Sequence, residues 1–302
     1  MSPEGILASC PGRSGIQRAA AMTWARGVID RLDARLLLEY VTGCSAATLL
    51  AHPEKVLRDE EIDAYVALVV RRHAGEPLAY LTGVAGFMGD LLRVSPAVLV
   101  PSPETEELVG WALASLKDCE LPAIADLGTG SGAIALALAA ARPDAQILPI
   151  DGSPEALAVA EKNRDALGRH QITFCCSSWF SGVSAEPRFD LIVSNPPYIG
   201  ATDPHLMGDG VRFEPRSALT DEADGLDAYR ALAEQAVCRL RPSGWLLVEH
   251  GHDQAGAVAA LWSQAGLIDI ESRCDLSGNP RMTGGRKPRN PNAAGAPGAR
   301  HS

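Results

Sequence analysis

The stretch that decides the fold is Ile-Ala-Asp-Leu-Gly-Thr-Gly-Ser-Gly at residues 124–132, and the run Ala-Ile-Ala-Leu-Ala-Leu-Ala follows it at residues 133–139. The first four residues predict a buried strand, and the alanine- and leucine-rich run predicts a helix. Glycines between the two let a ligand approach the backbone closely. A strand, a glycine-rich turn and a helix in this order are typical of the nucleotide-binding half of a doubly wound α/β fold.

The glycine-rich turn does not by itself identify the cofactor. Gly128, Gly130 and Ala133 also satisfy the permissive fingerprint of dinucleotide-binding proteins, so a nicotinamide cofactor and S-adenosylmethionine both stay open. The next predicted strand, at residues 146–150, ends at Asp151. We expect this carboxylate to accept hydrogen bonds from a ribose diol, although an acid in this position also suits the start of the next helix.

A second informative element is Asn195-Pro196-Pro197-Tyr198, which follows the apolar run at residues 189–194. The run predicts a buried strand, so the four residues lie where a strand ends at the ligand crevice of an open sheet. A residue before proline is held in extended geometry and proline donates no backbone N–H, so this turn is stiff and presents a carboxamide and free carbonyls. Such acceptors suit a planar –NH2 group, although a turn of this kind can also simply end a strand.

Together these segments resemble the N5-glutamine methyltransferases that modify peptide chain release factors, the PrmC/HemK family. The likeness extends from about Arg31 to about Arg286. Its motifs are Asp-Leu-Gly-Thr-Gly-Ser-Gly at 126–132, Ser-Asn-Pro-Pro-Tyr at 194–198, Phe-Glu-Pro-Arg-Ser-Ala-Leu at 213–219 and Pro-Glu-Thr-Glu at 103–106. The combination is far more specific than any one motif, because Asn-Pro-Pro-Tyr also occurs in DNA adenine methyltransferases and in ribosomal-protein glutamine methyltransferases.

One position departs from the pattern of the family that the chain resembles. The family usually carries Arg before Pro-Glu-Thr-Glu, and this sequence has Ser102 there. The local sequence predicts that Ser102 is a helix N-cap with Pro103 at the first helical position. Acidic residues then lie in the first turn, near the positive end of the helix dipole.

The resemblance implies a class I S-adenosylmethionine-dependent methyltransferase with a small N-terminal helical domain and a β-hairpin connector. Its doubly wound α/β sheet is mostly parallel, with an antiparallel last strand. The expected divisions are a flexible N-terminal extension at 1–21, a helical partner-docking domain at 22–78, the connector at 79–102, the methyltransferase domain at 103–286 and a disordered tail at 287–302. Residues 1–21 are interpreted as an extension before a start at Met22, with an organellar targeting segment as the alternative.

Local patterns predict the elements within these divisions. In the helical domain, apolar residues at helical spacing predict two buried faces, one of Leu32, Leu36, Leu37 and Tyr40 and one of Ile62, Tyr65, Val66 and Val69. In the connector, Gly89-Asp90 predicts a hairpin turn. In the sheet domain, residues 172–176 predict the third strand.

Composition narrows the classes of partner. The net charge is −10, and the tail from residue 286 onward carries four basic residues and no acid, so the remainder carries −14. Such an acidic body is a poor match for a protein that binds nucleic acid phosphates, and a basic protein partner fits better. The seven cysteines form no Cys-x-x-Cys pair, which favours reduced thiols in a cytoplasmic enzyme. We expect no metal site, including at His250 and His252.

The resemblance implies methyl transfer from S-adenosylmethionine to the glutamine side-chain nitrogen (N5) in the Gly-Gly-Gln motif of release factors. A ribosomal-protein glutamine methyltransferase is the closest alternative, and a DNA or RNA adenine methyltransferase is a more distant one. The amide nitrogen needs orientation more than it needs a base, so Asn195 through its side-chain oxygen and Pro196 through its carbonyl are the predicted acceptors. Tyr198 would wall the amide, or pack as an ordinary core aromatic. Residues 195–198 together form the predicted substrate-binding turn.

The predicted cofactor site has three further parts besides Asn195. The glycine-rich turn comes first, with Gly128, Thr129, Gly130, Ser131 and Gly132. Asp151 is the second part. By resemblance Trp179, directly after the third predicted strand, covers the adenine, with a plain core role as the alternative. The segment at 213–216 is assigned to the substrate side by resemblance, and its alternative is a solvated turn with a Glu214–Arg216 ion pair.

Overall fold

The computed structural model describes residues 2–10, 12, 15–186 and 188–289. The chain divides into two compact units, Met1–Val84 and Ala85–Ser302. The first unit is helical and the second contains a large β-sheet, as the spacing of their apolar residues predicts.

The N-terminal unit is built from short helices around one apolar core. Tyr65 is fully buried there, its hydroxyl donates a 2.7 Å hydrogen bond to the Ala34 carbonyl, and the Trp24 ring lies edge-on to it at 6.3 Å. The helices are α1 (Pro3–Ser9), α2 (Arg18–Arg26), α3 (Arg31–Thr42), α4 (Ala46–Ala51), α5 (Asp59–His73) and α6 (Leu78–Thr82).

The N-terminal segment at residues 1–21 contributes structure to this unit. Helix α1 covers much of its first half, and α2 crosses the division expected between residues 21 and 22. Ile16 is buried in the same apolar cluster as Leu57, whose N–H donates to the Ile16 carbonyl at 2.8 Å. This differs from the flexible extension expected for the segment. Burial of the apolar side chains at 16 and 21 removes their surface from water, which stabilises the folded segment.

The buried face of α3 differs from the predicted one. Leu37 of the predicted face is fully buried, but Leu32 and Tyr40 are 51% and 53% exposed, and Ala34 and Leu38 are buried instead. The prediction was wrong at Leu32 and Tyr40 because the run of leucines in α3 permits two apolar faces, and packing against α5 selects the face that contains Ala34. The predicted face of α5 is confirmed at three of its positions, since Ile62, Tyr65 and Val69 are buried.

The second unit begins with the predicted hairpin, formed by β1 (Val84–Phe87) and β2 (Asp90–Arg93). Its turn residues are Met88 and Gly89, with φ of 49° and 83°, one position before the predicted pair. Positive φ at both positions matches the twist that a two-residue hairpin requires.

Seven strands of the described chain form the main sheet. They are β3 (Ala123–Leu127), β4 (Gln146–Asp151), β5 (Cys175–Cys176), β6 (Phe189–Ser194), β7 (Leu240–Glu249), β8 (Ile268–Cys274) and β9 (Pro280–Arg286). Their order is β5-β4-β3-β6-β7-β9-β8. Strands β3 to β7 are parallel, and β9 is antiparallel to both β7 and β8. The predicted fold class, including the antiparallel last strand, is confirmed.

Helices cover both faces of this sheet, and the two apolar clusters lie between them. Helices α7 and α8 pack on one face, and α11 and α12 pack on the other. The helices of the unit are α7 (Pro103–Ser115), α8 (Ala133–Ala141), α9 (Pro154–Ala166), α10 (Arg216–Leu219), α11 (Asp227–Arg239) and α12 (Ala255–Gln264). The carboxyl ends of β3, β4, β6 and β7 therefore meet at one edge, where open α/β sheets bind ligands.

Two predicted segments have different bounds in the structure. The strand predicted at 172–176 is reduced to Cys175 and Cys176, which pair with Ile150 and Asp151 at the sheet edge, where a strand has a partner on one side only. At the predicted tail, Lys287 donates from Nζ to the Leu240 carbonyl at 2.9 Å, and residues 290–302 lie outside the described residues. Within the described chain, no helix combines the length and apolar character of a membrane span.

Gly284 in β9 supplies a stability test. A Cβ at this position would lie 2.5 Å from Leu247 Cδ2 and 2.7 Å from Trp111 Cη2, inside the packed core. We expect Gly284→Ala to lower the free energy of unfolding by about 1–3 kcal/mol, because overpacking forces neighbouring side chains off their rotamers. Gly110→Ala, at an exposed position in α7 with open space around the new methyl, should instead raise it by about 0.5–1 kcal/mol. Urea unfolding measures both, and equal effects of the two substitutions would contradict the packing argument.

Candidate active site

The glycine-rich turn lies directly after β3 and leads into α8. Gly128, Gly130 and Gly132 all have positive φ, at 72°, 56° and 82°, which residues with a Cβ rarely adopt. The N–H groups of Gly128 and Thr129 donate to the Ile150 carbonyl at 2.8 and 3.0 Å, so the turn is held against the end of β4. The glycines therefore set the path of the backbone around the space at the sheet edge.

Asp126 supports this turn from below. The side chain is fully buried, and its Oδ2 accepts hydrogen bonds from Thr129 Oγ1 at 2.6 Å and from the Ala135 N–H at 3.2 Å. Burial raises the pKa of Asp126 to about 7, against the opposing effect of these two donors. Asp126 thus ties the turn to the first turn of α8.

Asp151 lies at the end of β4, beside the glycine-rich turn. Its Oδ2 accepts from the Gly130 N–H at 2.8 Å, and its Oδ1 accepts from the Ser153 N–H at 2.8 Å. Each carboxylate oxygen has a second lone pair, so both can still accept a hydrogen bond from a hydroxyl group. The position agrees with the ribose-binding role expected for this residue.

Asn195 follows the last residue of β6, and only the nitrogen of its carboxamide has a hydrogen-bond partner among the described residues. Its Nδ2 donates to Thr105 Oγ1 at 3.1 Å. Its Oδ1 is shielded from solvent and has no hydrogen-bond partner among the described residues. A buried acceptor without a partner is destabilising, and such atoms are common where a ligand is to be bound.

The partner of Asn195 belongs to a chain of hydrogen bonds that runs across the sheet edge. Thr105 Oγ1 donates to Glu249 Oε2 at 2.6 Å, and the Thr105 N–H donates to Oγ of the N-cap residue Ser102 at 3.3 Å. Because the Thr105 proton goes to the carboxylate, its oxygen must accept from the amide of Asn195. The predicted N-cap role of Ser102 is confirmed.

Glu249 ends β7 and is 3% exposed. Burial raises its pKa to about 7, and the negative charge of Glu104 acts in the same direction, while the hydrogen bond from Thr105 opposes them. Sequence reasoning missed both Thr105 and Glu249 as site residues. The available signal was an acid at the carboxyl end of a parallel strand, the position where such sheets place functional groups.

The remaining residues of the Asn-Pro-Pro-Tyr turn differ in their surroundings. Pro196 is buried, and no donor in the described chain reaches its carbonyl. Tyr198 packs against the apolar cluster that α11 and α12 cover, and this burial raises the pKa of its phenol. The backbone carbonyl of Tyr198 accepts a hydrogen bond from Gln254 Nε2 at 2.9 Å. Pro197 lines the cavity described below.

Trp179 follows β5 in a turn with a φ of 49°, a value that is rare for a bulky residue. The ring is half-buried, lies against the same apolar cluster as Tyr198, and also lines the cavity. Both roles considered for Trp179, core packing and a cover for a flat ligand, are compatible with this placement.

A cavity of about 370 Å³ brings most of these groups together. This volume lies in the usual range for small-molecule and cofactor sites. Of the site residues predicted from the sequence, the lining includes Gly128, Thr129, Gly130, Ser131, Asp151, Trp179, Asn195 and Pro197. The other predicted site residues, Gly132, Pro196 and Tyr198, are next to the cavity and do not line it. A Cβ on Gly132 would lie 3.0 Å from Leu136 Cδ1, so this glycine allows close packing of the turn on α8.

The loop after the Asn-Pro-Pro-Tyr turn contributes Pro215, Ser217 and Ala218 to the cavity wall. Glu214 does not pair with Arg216, whose Nη2 instead donates to Glu222 at 2.9 Å. The solvated Glu214–Arg216 pair considered as an alternative is therefore wrong. Burial raises the pKa of Glu214 to about 7, while a hydrogen bond from the Val100 N–H acts against this shift.

The first histidine beyond β7 is held by neighbouring groups of the chain. His250 is buried, with Nε2 2.8 Å from Thr283 Oγ1 and Nδ1 2.8 Å from the Gly251 carbonyl. Asp221, Asp224 and Asp227 lie close together on the surface, where their oxygens accept from backbone N–H groups and from Arg230. All three carboxylates therefore have hydrogen-bond partners within the described chain.

Comparison with known proteins agrees with this geometry. The PrmC N-terminal domain family matches residues 20–83, and the methyltransferase small domain family matches residues 112–207. The solved hMettl16 catalytic domain, in complex with the MAT2A 3′UTR hairpin 1, is 14% identical with a TM-score of 0.53, over 84% of this chain and 92% of that one. At this identity the likeness concerns the fold alone.

Curated relatives match much more closely and over nearly their whole length. A release factor glutamine methyltransferase of Xylella fastidiosa (strain Temecula1) is 47% identical over 86% of this chain and 94% of its own length. Another, of Bordetella pertussis (strain Tohama I), is 48% identical over 85% and 95% of the two chains. With this identity over this extent, the chain belongs to the release factor glutamine methyltransferase family.

Proposed function

We propose that this protein transfers a methyl group from S-adenosylmethionine to the side-chain nitrogen of the glutamine in the Gly-Gly-Gln motif of peptide chain release factors. Membership of the family confirms the predicted enzyme class, a protein-glutamine methyltransferase. The structural observation that carries the proposal is the shielded, unpartnered Oδ1 of Asn195 beside the glycine-rich turn. An enzyme with this substrate acts where translation takes place, in the cytoplasm.

The target nitrogen requires orientation before it can react. A carboxamide nitrogen is a poor nucleophile because its lone pair is delocalised into the carbonyl. Two acceptors that hold both N–H groups would direct the lone pair toward the methyl group and favour the pyramidal nitrogen of the transition state. Asn195 Oδ1 is the first acceptor, and the Pro196 carbonyl, which receives no protein donor among the described residues, is the second.

Thr105 and Glu249 fix which end of the Asn195 carboxamide meets the substrate. With the Thr105 hydroxyl donating to Glu249, its oxygen holds Asn195 Nδ2 at 3.1 Å. The carboxamide is then unable to rotate by half a turn without losing this bond. The acceptor oxygen is in this way directed to the substrate, and Thr105 and Glu249 are positioning residues.

The residues that would hold the cofactor fit its chemistry. Asp151 offers free lone pairs to a ribose diol, Trp179 offers an aromatic face to an adenine, and the space beside Gly130 lets a ligand lie close to the turn. When bound, S-adenosylmethionine supplies a sulfonium-activated methyl group. No strong base is needed, because methyl transfer moves the positive charge of the sulfonium to the amide nitrogen, and the resulting cation readily loses an N–H proton to water.

The alternatives have less support. Adenine methyltransferases share the Asn-Pro-Pro-Tyr turn, but a net charge of −10 disfavours a nucleic acid substrate, whose affinity depends on Lys and Arg. A ribosomal-protein substrate is compatible with the same site chemistry. The experiment below separates it from the release factor.

Mass spectrometry of a release factor incubated with this protein and S-adenosylmethionine tests the proposal. We expect one added methyl group on the glutamine of Gly-Gly-Gln. Asn195→Ala should reduce the rate by about 100- to 1,000-fold, as the loss of one preorganised polar contact does. Asn279→Ala, an exposed residue of the β8–β9 turn, is the matched control. A wild-type protein that binds the cofactor and leaves the release factor unmodified would exclude this substrate.

The positioning role of Thr105 is tested by removing its hydroxyl at constant shape. We expect Thr105→Val to lower kcat by about 100-fold through misorientation of Asn195, with KM for the cofactor unchanged, and Thr105→Ser to restore most of the rate. Thr283→Val removes another buried hydroxyl, one bonded to His250 away from the cavity, and should leave kcat within about twofold of the wild type. Equal losses in both valine variants would mean that the effect is structural only.

Glu249 also makes stability depend on pH. Its folded-state pKa of about 7 lies above the ordinary value of 4.5, so its contribution to stability is present at low pH and is lost as the pH rises from about 4.5 to about 7. We expect Glu249→Gln to reduce the fall in unfolding free energy between pH 5 and pH 8 by about 2–3 kcal/mol. Urea unfolding at the two pH values measures this difference. An unchanged slope would mean that Glu249 is ionised throughout this range.

A further inference from the structure

Asn163 lies inside α9 and is 1% exposed, and the methyl-transfer chemistry described above does not use it. Asparagine is a weak helix former, because its carboxamide competes for backbone hydrogen bonds. Burial of a carboxamide also costs free energy unless new hydrogen bonds replace those to water. An apolar residue would suit the helix better, so what an asparagine contributes at this position is the contacts of its carboxamide.

The carboxamide of Asn163 bonds to backbone groups of two separate segments. Its Oδ1 accepts from the Arg93 N–H at 2.7 Å, and its Nδ2 donates to the Arg93 carbonyl at 3.0 Å. The same Nδ2 donates to the Ser131 carbonyl at 2.9 Å. Both N–H groups of Nδ2 are therefore in use. A half-turn of the carboxamide would break all three bonds and place Oδ1 against two carbonyl oxygens.

The two segments that Asn163 joins form different parts of the wall around the cavity of about 370 Å³. Ser131 belongs to the glycine-rich turn and lines the cavity itself. Arg93 ends β2, and the connector after it contributes four further lining residues, Ala97, Val98, Leu99 and Pro101. Asn163 is not among the lining residues, so it connects two parts of the wall from behind.

Further contacts fix α9 against the same two segments. A Cβ on Gly132 would lie 3.3 Å from the Cβ of Ala160, three residues before Asn163, so the glycine-rich turn packs closely on this helix. Arg169, beyond the end of α9, donates from Nη2 to Asp90 of β2 at 2.7 Å. The carboxamide of Asn163 therefore acts from a helix that is already held against both the turn and the hairpin.

We propose that Asn163 is a positioning residue for the cofactor, which sets the separation between the glycine-rich turn and the connector at 97–101. By holding the Ser131 carbonyl, it keeps the turn in its binding shape before the cofactor arrives. A site that is ordered in advance loses less conformational entropy on binding, so its affinity is higher. The inference rests on the proposed function for the identity of the cofactor, S-adenosylmethionine.

Calorimetric titration with S-adenosylmethionine tests this role. Asn163→Asp keeps the shape of the side chain and the acceptor for the Arg93 N–H, and it replaces the donor nitrogen with an oxygen. We expect the dissociation constant to rise about tenfold, because this oxygen would face two carbonyl oxygens and displace the turn. Asn163→Leu removes the amide without adding charge and should give a similar rise.

Steady-state methylation of the release factor separates positioning from a structural defect. We expect KM for the cofactor to rise about tenfold in both Asn163 variants and kcat to stay within about threefold, because the bonds of Asn195 are not altered. A smaller folded fraction would instead lower kcat at unchanged KM. Thr283→Val is the matched control, since it removes a buried hydrogen bond to His250 away from the cavity and should leave the dissociation constant within about twofold.

Amide hydrogen exchange of the protein without cofactor tests the turn directly. The Gly132 N–H donates to the Thr129 carbonyl at 2.8 Å, and we expect it to exchange faster in both Asn163 variants than in Thr283→Val. Faster exchange together with weaker cofactor binding supports the proposal. Unchanged exchange overturns it, as does a dissociation constant that rises equally in Thr283→Val or stays at the wild-type value in both Asn163 variants. A wild-type protein that binds no S-adenosylmethionine refutes the proposed function, and with it the assignment of Asn163 to this cofactor, whereas exchange still reports whether Asn163 holds the turn.

Discussion

The parallel pairing of β3 with β6 determines whether this protein has a site at all. Leu127 pairs with Ser194, and Ser194 Oγ donates to the Leu127 carbonyl at 2.7 Å, so the two strands end at the same level. The glycine-rich turn follows the first strand and Asn195 follows the second. Since side chains alternate along a strand, a shift of one residue in this register would turn Asn195 away from Thr105.

Buried carboxyl groups at the ends of the strands hold this arrangement in place. Asp126 fixes the turn through Thr129, and Glu249 fixes Asn195 through Thr105. Burial raises the pKa of both carboxyl groups to about 7, because their hydrogen bonds offset only part of the cost of removing a carboxylate from water. Apolar residues in place of these carboxyl groups would make the fold more stable, but they would leave the carboxamide of Asn195 free to rotate. The buried carboxyl groups therefore lower stability while they hold this carboxamide in one orientation.

Local sequence patterns predicted the parts of the site that depend on neighbours in the chain. The strand, turn and helix around residues 123–141 and the stiff turn after β6 have distinctive glycines and prolines, so their structure follows from short-range chemistry. Thr105 and Glu249 were not found, because their contact joins residues 144 positions apart and neither has an unusual local pattern. The prediction of the α3 face was wrong at Leu32 and Tyr40 because it also depends on a distant contact. Tyr65, on another helix, bonds to the Ala34 carbonyl on the face that is buried.

The two units of the chain differ in their charge. Residues 1–84 contain nine Lys and Arg against ten Asp and Glu, whereas the remaining residues contain 18 against 27. The larger unit therefore attracts basic segments of a partner and repels acidic ones, whereas the smaller unit is nearly neutral. Because exposed charges are screened over about 8–10 Å in physiological salt, this preference acts on partner segments that are already close to the surface.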